Sequence, residues 1–227
     1  MRYIPSLGTL LLVFSIFGPM QAQDWPNLSK YQVANAVITS PGNNEDRVVF
    51  LGNSITEGWP KAFFENTTYL NRGIGGQTTP QLLLRFRQDV IALQPKAVVI
   101  LAGTNDIAGN TGPMTLEQIR DNIASMVELA QTNHIVPVVC SVLPAFDYPW
   151  RPGQRPNIMI PKLNALLQQL AEEKEVPYLD YFSVMADGRN GLPSEYTTDG
   201  VHLTEKGYKV MERLVQPVIA SCLKAQR

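Results

Sequence analysis

Cysteine, histidine and concentrated charge are all scarce in this sequence. The 227 residues include two Cys and two His, and no group of them has the spacing of metal ligands. The 19 Lys and Arg residues nearly balance the 20 Asp and Glu residues, and no long block of like charges occurs. These absences argue against a metal site and against a dedicated DNA or RNA partner.

Motifs of several enzyme classes are also missing. Neither Gly-x-Gly-x-x-Gly after a strand nor Gly-x-x-x-x-Gly-Lys is found, so nothing supports nucleotide binding. Gly-x-Ser-x-Gly is absent around Ser54, which argues against the nucleophile elbow of α/β-hydrolases. We therefore expect no nucleotide cofactor.

The composition indicates one compact domain. Apolar residues make up 44% of the chain and charged residues 17%, with 16 Gly and 17 Pro spread along it. Such a chain has enough apolar side chains for a sizeable core, and it lacks the composition of a disordered or coiled-coil protein.

The first 22 residues differ from the rest. Arg2 precedes a nearly uninterrupted apolar stretch from Leu7 to Met20, and the segment ends in the small residue Ala22. This pattern is typical of a secretory signal peptide. The alternative is a membrane anchor, but Gly and Pro thin out a stretch that is short for the roughly 20 residues a span needs. We expect a signal peptide over 1–22, a single domain over 23–227, export to the periplasm or medium, and no stable membrane insertion after processing.

Export permits a disulfide between Cys140 and Cys222, but the surroundings of both residues favour free thiols. Cys140 closes an apolar run and Cys222 lies on the apolar stripe of the last helical segment. In such positions cysteine behaves as a small buried hydrophobe. We expect the two to be unpaired.

Short apolar runs alternate with longer segments of helical period. The strand candidates are 48–51, 69–72, 97–101, 135–142 and 176–179. Apolar residues at spacings of three and four, such as Leu83, Phe86, Val90 and Leu93, predict amphipathic helices between them, and Thr115 with Gln118 fits a capping box. The alternation predicts an α/β fold with a five-stranded, doubly wound parallel sheet and helices on both faces.

Polar and small residues follow four of the strands. They are Asn53 and Ser54 after the first strand, Gly73, Gly75 and Gly76 after the second, Asn105 and Asp106 after the third, and Asp199 and His202 beyond the fifth. Ligands of such sheets bind beyond the carboxyl ends of the strands. We therefore expect these residues to meet at one site.

Three of these residues have the side chains of a serine hydrolase. An imidazole can remove the proton of the Ser54 hydroxyl, and a carboxylate on the other ring nitrogen fixes the tautomer. One turn in Asp199-x-x-His202 can bring that carboxylate to the ring. The backbone N–H groups of Ser54 and Gly76 and the amide of Asn105 are candidate donors to an oxyanion.

Each motif also has a simpler interpretation when it is taken alone. Ser54 could be a helix cap, the three glycines a flexible turn, Asn105 and Asp106 an ordinary turn or cap, and Asp199 with His202 a surface turn. Their joint placement and their order along the chain favour the functional interpretation.

The ordered set of motifs resembles the SGNH hydrolase family, also called GDSL esterases and lipases, over essentially the whole mature chain. The blocks that carry the resemblance are Gly52-Asn53-Ser54, Gly76, Gly103-Thr104-Asn105-Asp106 and Asp199-Gly200-Val201-His202. One departure is Asn53, where the family usually has Asp. Asn keeps the shape and a carbonyl acceptor, so we expect the loop geometry to be retained.

This resemblance implies a flavodoxin-like three-layer α/β/α sandwich and a metal-free serine esterase without cofactors. It implies a catalytic Ser54, His202 and Asp199 and an oxyanion hole of Ser54, Gly76 and Asn105. A hypothesis of another class is a catalytically inactive carbohydrate-binding domain on the same fold. The four side chains that catalysis needs are present, which argues against it.

The substrate is the least defined part of the prediction. Trp59 lies five residues after Ser54, and Trp150 and Arg151 lie in the segment that follows the fourth strand and could reach over the catalytic edge. These residues could contact substrate, although packing of the loops is the alternative. Because no long apolar lid is visible, we favour a small-molecule or carbohydrate ester with a short acyl group, especially O-acetyl. Lysophospholipase or thioesterase activity is the alternative within the family.

Overall fold

The computed structural model describes residues 23–42 and 45–225. The predicted signal peptide lies outside these residues, and its division from the following domain stays a prediction. Within the described part of the chain, no helix combines the length and the apolarity that a membrane span requires.

Five parallel strands form one sheet. They are β1 Val48–Gly52, β2 Tyr69–Gly73, β3 Ala97–Leu101, β4 Val136–Cys140 and β5 Tyr178–Leu179. Their order across the sheet is β2-β1-β3-β4-β5, with every neighbouring pair parallel. The strand order reverses direction between β1 and β3, and ligands of open α/β sheets bind at such a point.

Helices connect and cover the strands. They are α1 Ser29–Ala36, α2 Ser54–Glu57, α3 Thr79–Asp89, α4 Thr104–Ile107, α5 Leu116–Thr132, α6 Pro156–Glu173, α7 Phe182–Met185 and α8 Glu205–Ala225. Two short 3-10 turns, Lys61–Phe63 and Ile91–Leu93, complete the set in the described chain. The capping box at the start of α5 is confirmed, because the Thr115 hydroxyl accepts from the Gln118 N–H at 3.2 Å and the Gln118 side chain accepts from the Thr115 N–H at 2.9 Å.

The sheet separates two hydrophobic cores. Alternate residues of a strand face opposite sides, so in β1 Val49 and Leu51 pack with α3, α5 and α6, while Val48 and Phe50 pack with α8. Every residue of β1 and β3 is buried, as expected when helices cover both faces of a parallel sheet. The predicted three-layer α/β/α fold is confirmed.

Some element boundaries differ from those predicted. The fourth strand ends at Cys140 because the backbone of Val142 forms its hydrogen bonds with the side chain of Asn164. The Asn164 side chain accepts from the Val142 N–H at 2.7 Å and donates to the Val142 carbonyl at 3.0 Å. The helix predicted through Leu93 ends at Asp89, and a 3-10 turn follows. Over a single turn an apolar spacing of three fits both an α-helix and a 3-10 helix, so the sequence could not distinguish them.

Cys140 and Cys222 are both buried and unpaired, as predicted. They lie in the core on the α8 side of the sheet. Burial raises the pKa of the Cys140 thiol far above its ordinary value, so this residue stays an uncharged core side chain.

Candidate active site

Ser54 is the first residue of α2, directly beyond the carboxyl end of β1. The buried Asn53 caps this helix, because its side-chain oxygen accepts a hydrogen bond from the Ile55 N–H at 3.1 Å. Such a cap needs only an oxygen acceptor. Asn53 therefore forms a cap for which Asp would offer the same kind of atom.

The turn between β1 and α2 is packed too tightly for a side chain at Gly52. A Cβ atom there would lie 2.1 Å from the Thr56 hydroxyl oxygen and 2.7 Å from the Leu101 carbonyl oxygen. Because glycine has no Cβ, the first turn of α2 can pack directly against the end of β1 at this point. Ser54 is partly exposed at the sheet edge.

A continuous chain of hydrogen bonds runs from Ser54 to Asp199. The Ser54 Oγ lies 3.0 Å from His202 Nε2, and His202 Nδ1 lies 2.7 Å from Asp199 Oδ2. Both distances fit hydrogen bonds. The arrangement can pass a proton from the hydroxyl to the imidazole while the carboxylate holds the ring.

Asp199 and His202 belong to one short loop whose conformation is fixed by hydrogen bonds within the loop. The other carboxylate oxygen of Asp199 accepts from the backbone N–H groups of Val201 at 2.9 Å and His202 at 2.7 Å. The Thr197 hydroxyl donates to the His202 carbonyl at 2.8 Å. Partial burial alone would raise the pKa of Asp199, but the hydrogen bonds from the His202 ring and from both N–H groups outweigh it and lower the pKa. The carboxylate is therefore charged at neutral pH.

Three candidate hydrogen-bond donors lie at this edge of the sheet. They are the backbone N–H groups of Ser54 and Gly76 and the side-chain amide of Asn105. Asn105 is buried in the first turn of α4, and Gly76, with φ +75°, lies on the loop after β2. Among the described residues, no protein acceptor pairs with the backbone N–H of Ser54 or Gly76. Asn105 Nδ2 donates to the Gln77 carbonyl at 2.9 Å, which orients the amide and leaves its second hydrogen for a ligand.

Arg85 of α3 connects the turn before Ser54 with the Gly76 loop through hydrogen bonds. Its side chain is fully buried and donates to the Gly52 carbonyl at 3.0 Å, to the Gln77 side chain at 2.6 Å and to Asp89 at 3.0 Å. Gly52 precedes the Ser54 turn, and Gln77 is the acceptor for Asn105. One guanidinium thus braces both the Ser54 turn and the Gly76 loop.

With this geometry established, comparison with known proteins identifies the family. The model of the GDSL-like lipase/acylhydrolase family matches residues 50–210, which contain all four motif blocks. The chain belongs to this family. The resemblance drawn from the motifs is confirmed, and the protein is a carboxylic ester hydrolase of the acylhydrolase type.

Solved and curated relatives agree with this GDSL assignment. The structure of an acylhydrolase candidate from Bacteroides fragilis NCTC 9343 is 48% identical, covers 89% of this chain and all of that one, and superposes with a TM-score of 0.87. The isoamyl acetate-hydrolyzing esterase of Saccharomyces cerevisiae is 26% identical over 163 residues, covering 66% of this chain and 68% of the relative. An acetylxylan esterase of Xylanibacter ruminicola is 24% identical over 224 residues, which are 80% of this chain and 45% of the relative.

The three residues predicted to contact substrate in this GDSL hydrolase have different positions. Trp150 is 43% exposed, its ring centroid lies 6.2 Å from that of His202, and its Nε1 donates to Asn110 at 3.3 Å. Arg151 instead donates to the carbonyls of Ala108 at 3.2 Å and Gly109 at 2.9 Å. Trp150 therefore borders the site, whereas Arg151 holds the loop after α4.

Trp59 lies in the core and not in the cleft. It is 3% exposed and packs against Phe50, Phe63 and Tyr208, with ring centroids 5.4, 5.0 and 5.8 Å away. A substrate could reach the indole only by displacing these rings. The expectation that Trp59 contacts substrate is therefore replaced by a packing role.

The segment from Asp24 to Ala36 borders the Gly76 loop, although no sequence motif predicts a place for it at the site. Gln77 Nε2 donates to the Pro26 carbonyl at 2.7 Å. Lys30 pairs with Glu57 at 2.9 Å, and the same Glu57 accepts from the Gly75 N–H at 2.8 Å. Because no residue of α1 is buried, the segment has no periodic apolar pattern that could have revealed it.

No group of three His, Cys, Asp or Glu side chains lies together as possible metal ligands in the part of the chain that the structure describes. The expectation that the enzyme needs neither metal nor cofactor stays a prediction.

Proposed function

We propose that this protein is an exported serine esterase that removes short acyl groups, above all O-acetyl groups of carbohydrates. In this proposal Ser54 is the nucleophile, His202 the general base and acid, and Asp199 the group that orients His202. The observation that carries the proposal is the unbroken hydrogen-bond chain from Ser54 through His202 to Asp199.

The proposed reaction has two halves. The Ser54 Oγ attacks the ester carbonyl carbon while His202 Nε2 takes its proton, and the carbonyl oxygen becomes negative. The N–H groups of Ser54 and Gly76 and the amide of Asn105 donate to that oxygen, where fixed donors stabilise the developing charge. When the C–O bond breaks, the alcohol leaves with the proton from His202 and Ser54 stays acylated.

Water completes the cycle. It attacks the acyl carbon and gives a proton to His202, so that a second tetrahedral intermediate forms in the same oxyanion hole. Its collapse releases the acid, and the proton returns to the Ser54 oxygen. Throughout, the lowered pKa of Asp199 keeps a negative charge beside the imidazolium that forms in each half.

Two features support a short acyl group. The apolar pocket lined by Val136, Pro177, Tyr178 and Pro217 lies at the amino ends of β4 and β5, at the opposite edge of the sheet from Ser54. The pocket beside Gly76, in contrast, has polar side chains on its walls. Two relatives named for acetate esters agree with this choice over lysophospholipase or thioesterase activity.

Replacement of Ser54 tests the proposal. We expect Ser54→Ala to lose fluorophosphonate labelling and to hydrolyse p-nitrophenyl acetate at least about 10³-fold more slowly, because the acyl-enzyme cannot form. The exposed Ser183 provides a matched control, and Ser183→Ala should be labelled like the wild type. Wild-type labelling or turnover in Ser54→Ala would refute the assignment.

A further inference from the structure

A pocket of about 380 Å³ opens beside the proposed oxyanion hole. Its walls are formed by the segment that precedes α1, by the Gly76 loop and by the loop after α4. Residues that line it include Asp24, Trp25, Asn27, Gly76, Asn110 and Thr111. None of the site predictions made from the sequence includes the residues before α1.

We propose that this pocket is a subsite for a sugar ring of the substrate, with the indole of Trp25 as its apolar wall. The proposal rests on the proposed function, since it concerns the part of an acetylated carbohydrate that lies next to the scissile ester.

The chemistry of the walls fits a polyhydroxylated ring. Trp25 is 41% exposed, and an exposed indole offers an apolar face to the C–H groups of a sugar together with a polar N–H. In the described chain, neither the Trp25 indole N–H nor the Asn27 amide N–H₂ has a protein acceptor. Both can donate to hydroxyl groups, and the Asp24 carboxylate can accept from them.

An acyl chain fits the same walls poorly. It would cover the carboxylate of Asp24, the amides of Asn27 and Asn110 and the hydroxyl of Thr111 without forming hydrogen bonds to them. Covering polar groups in this way costs free energy. The polar walls therefore favour the hydroxylated part of the substrate over its acyl part.

The pocket is connected to the reacting groups through Asn110. The Nδ2 of Asn110 donates to the Gly76 carbonyl at 3.1 Å, and its Oδ1 accepts from Trp150 Nε1 at 3.3 Å. Trp150 in turn lies beside the His202 ring. A substrate whose ester carbonyl oxygen points at the Gly76 N–H can therefore place its ring in the pocket beside Asn110.

The wall that carries Trp25 is held by hydrogen bonds to α3 and its preceding loop. Gln81 Nε2 donates to the Trp25 carbonyl at 2.7 Å, and Gln77 Nε2 donates to the Pro26 carbonyl at 2.7 Å. The Asp24 carboxylate accepts from the N–H groups of Leu28 and Ser29 at 2.8 and 2.9 Å. A wall positioned in advance needs little ordering when a ligand binds.

Trp25→Ala tests the subsite on three substrates: an acetylated xylooligosaccharide, p-nitrophenyl acetate and p-nitrophenyl octanoate. We expect kcat/KM for the sugar ester to fall about tenfold relative to p-nitrophenyl acetate, mainly through KM. A tenfold change corresponds to about 1.4 kcal/mol, which one aromatic contact can contribute. Val33→Ala, an exposed apolar residue of α1 outside the pocket, is the matched control and should leave all three rates unchanged.

The other outcomes overturn the proposal in distinguishable ways. Equal losses on all three substrates would show that Trp25 supports the Gly76 loop and not a ligand. A selective loss on the octanoate would assign the pocket to the acyl chain, and no loss on any substrate would show that nothing binds there. Wild-type enzyme that cleaves only the p-nitrophenyl esters would refute the carbohydrate assignment and the subsite together, whereas a wild type inactive on every ester would refute the proposed function itself.

Discussion

Asn105 uses the two hydrogens of one amide for different purposes. One of them bonds to the Gln77 carbonyl, which fixes the orientation of the buried side chain. In the proposed mechanism the other hydrogen donates to the substrate oxygen. A donor that is already oriented stabilises the transition state without reorganisation when charge develops.

Asn105→Ala should therefore lower kcat far more than it changes KM. The lost hydrogen bond is strongest when the carbonyl has become tetrahedral, and the loss of one such donor typically lowers kcat by about 10²- to 10³-fold. Steady-state kinetics on p-nitrophenyl acetate, with thermal unfolding of the same preparation, measures both effects.

The exposed Asn133 at the end of α5 is a matched control, and Asn133→Ala should keep the wild-type kcat. If Asn105→Ala lowered the melting temperature but kept kcat per folded molecule, Asn105 would be a structural residue of the turn and not an oxyanion donor.

Single residues could be predicted where the chemistry lies in a short motif. Ser54 and Asn105 stand just beyond strands, whose positions follow from apolar runs. Asp199 and His202 share one short motif in the loop before the last helix. Trp59 could not be distinguished from an exposed tryptophan in this way. Its burial depends on Phe63 and Tyr208, which only the folded chain brings to it.

At the scale of elements, α3 connects the sheet to the site. Its Arg85 and Asp89 form an ion pair with side chains that are 0% and 1% exposed. The same arginine binds the end of β1 and the loop after β2. Loss of the arginine would leave a buried carboxylate without its charged partner and several acceptors without donors.

Arg85→Met should destabilise the protein by about 3–5 kcal/mol, the usual range for breaking a buried ion pair from one side. Urea unfolding followed by circular dichroism provides the measurement. Arg87→Met, on the exposed side of the same helix, should change the free energy of unfolding by less than about 0.5 kcal/mol. Equal effects of the two substitutions would contradict a bracing role for Arg85.

The strands could be predicted better than the helix ends and the chain start. Runs of β-branched residues buried on both faces leave a strong signal, and β1 and β3 carry it. The end of β4 depends on Asn164, which lies 22 residues after Val142. The helix α1 contacts the domain through polar side chains such as Lys30, which pairs with Glu57. Neither interaction has a periodic pattern.

At the scale of the whole molecule, the residues that follow the predicted cleavage point form hydrogen bonds of their own. Asp24 caps the segment that leads into α1, and cleavage after Ala22 would keep both of these hydrogen bonds. We expect expression of the full chain to give an exported protein that begins at Gln23 or within a residue or two of it.

Mass spectrometry of the exported fraction measures the new N-terminus. Ala22→Leu should block processing, because cleavage requires a small residue, whereas Ala34→Leu on the exposed side of α1 should be processed normally. Detection of only the full-length wild-type chain in membranes would contradict a cleaved signal peptide.

The contact between Ser54 and His202 joins positions 148 residues apart. One partner follows the first strand and the other precedes the last helix, so most of the chain must be folded before the two meet. Contacts between distant parts of a chain form late, because closing a long loop costs entropy before the contact is gained. In the proposed mechanism a partly synthesised or partly refolded molecule therefore cannot attack esters while its loops are still open. The return of hydrolysis during refolding would then report that His202 has reached Ser54.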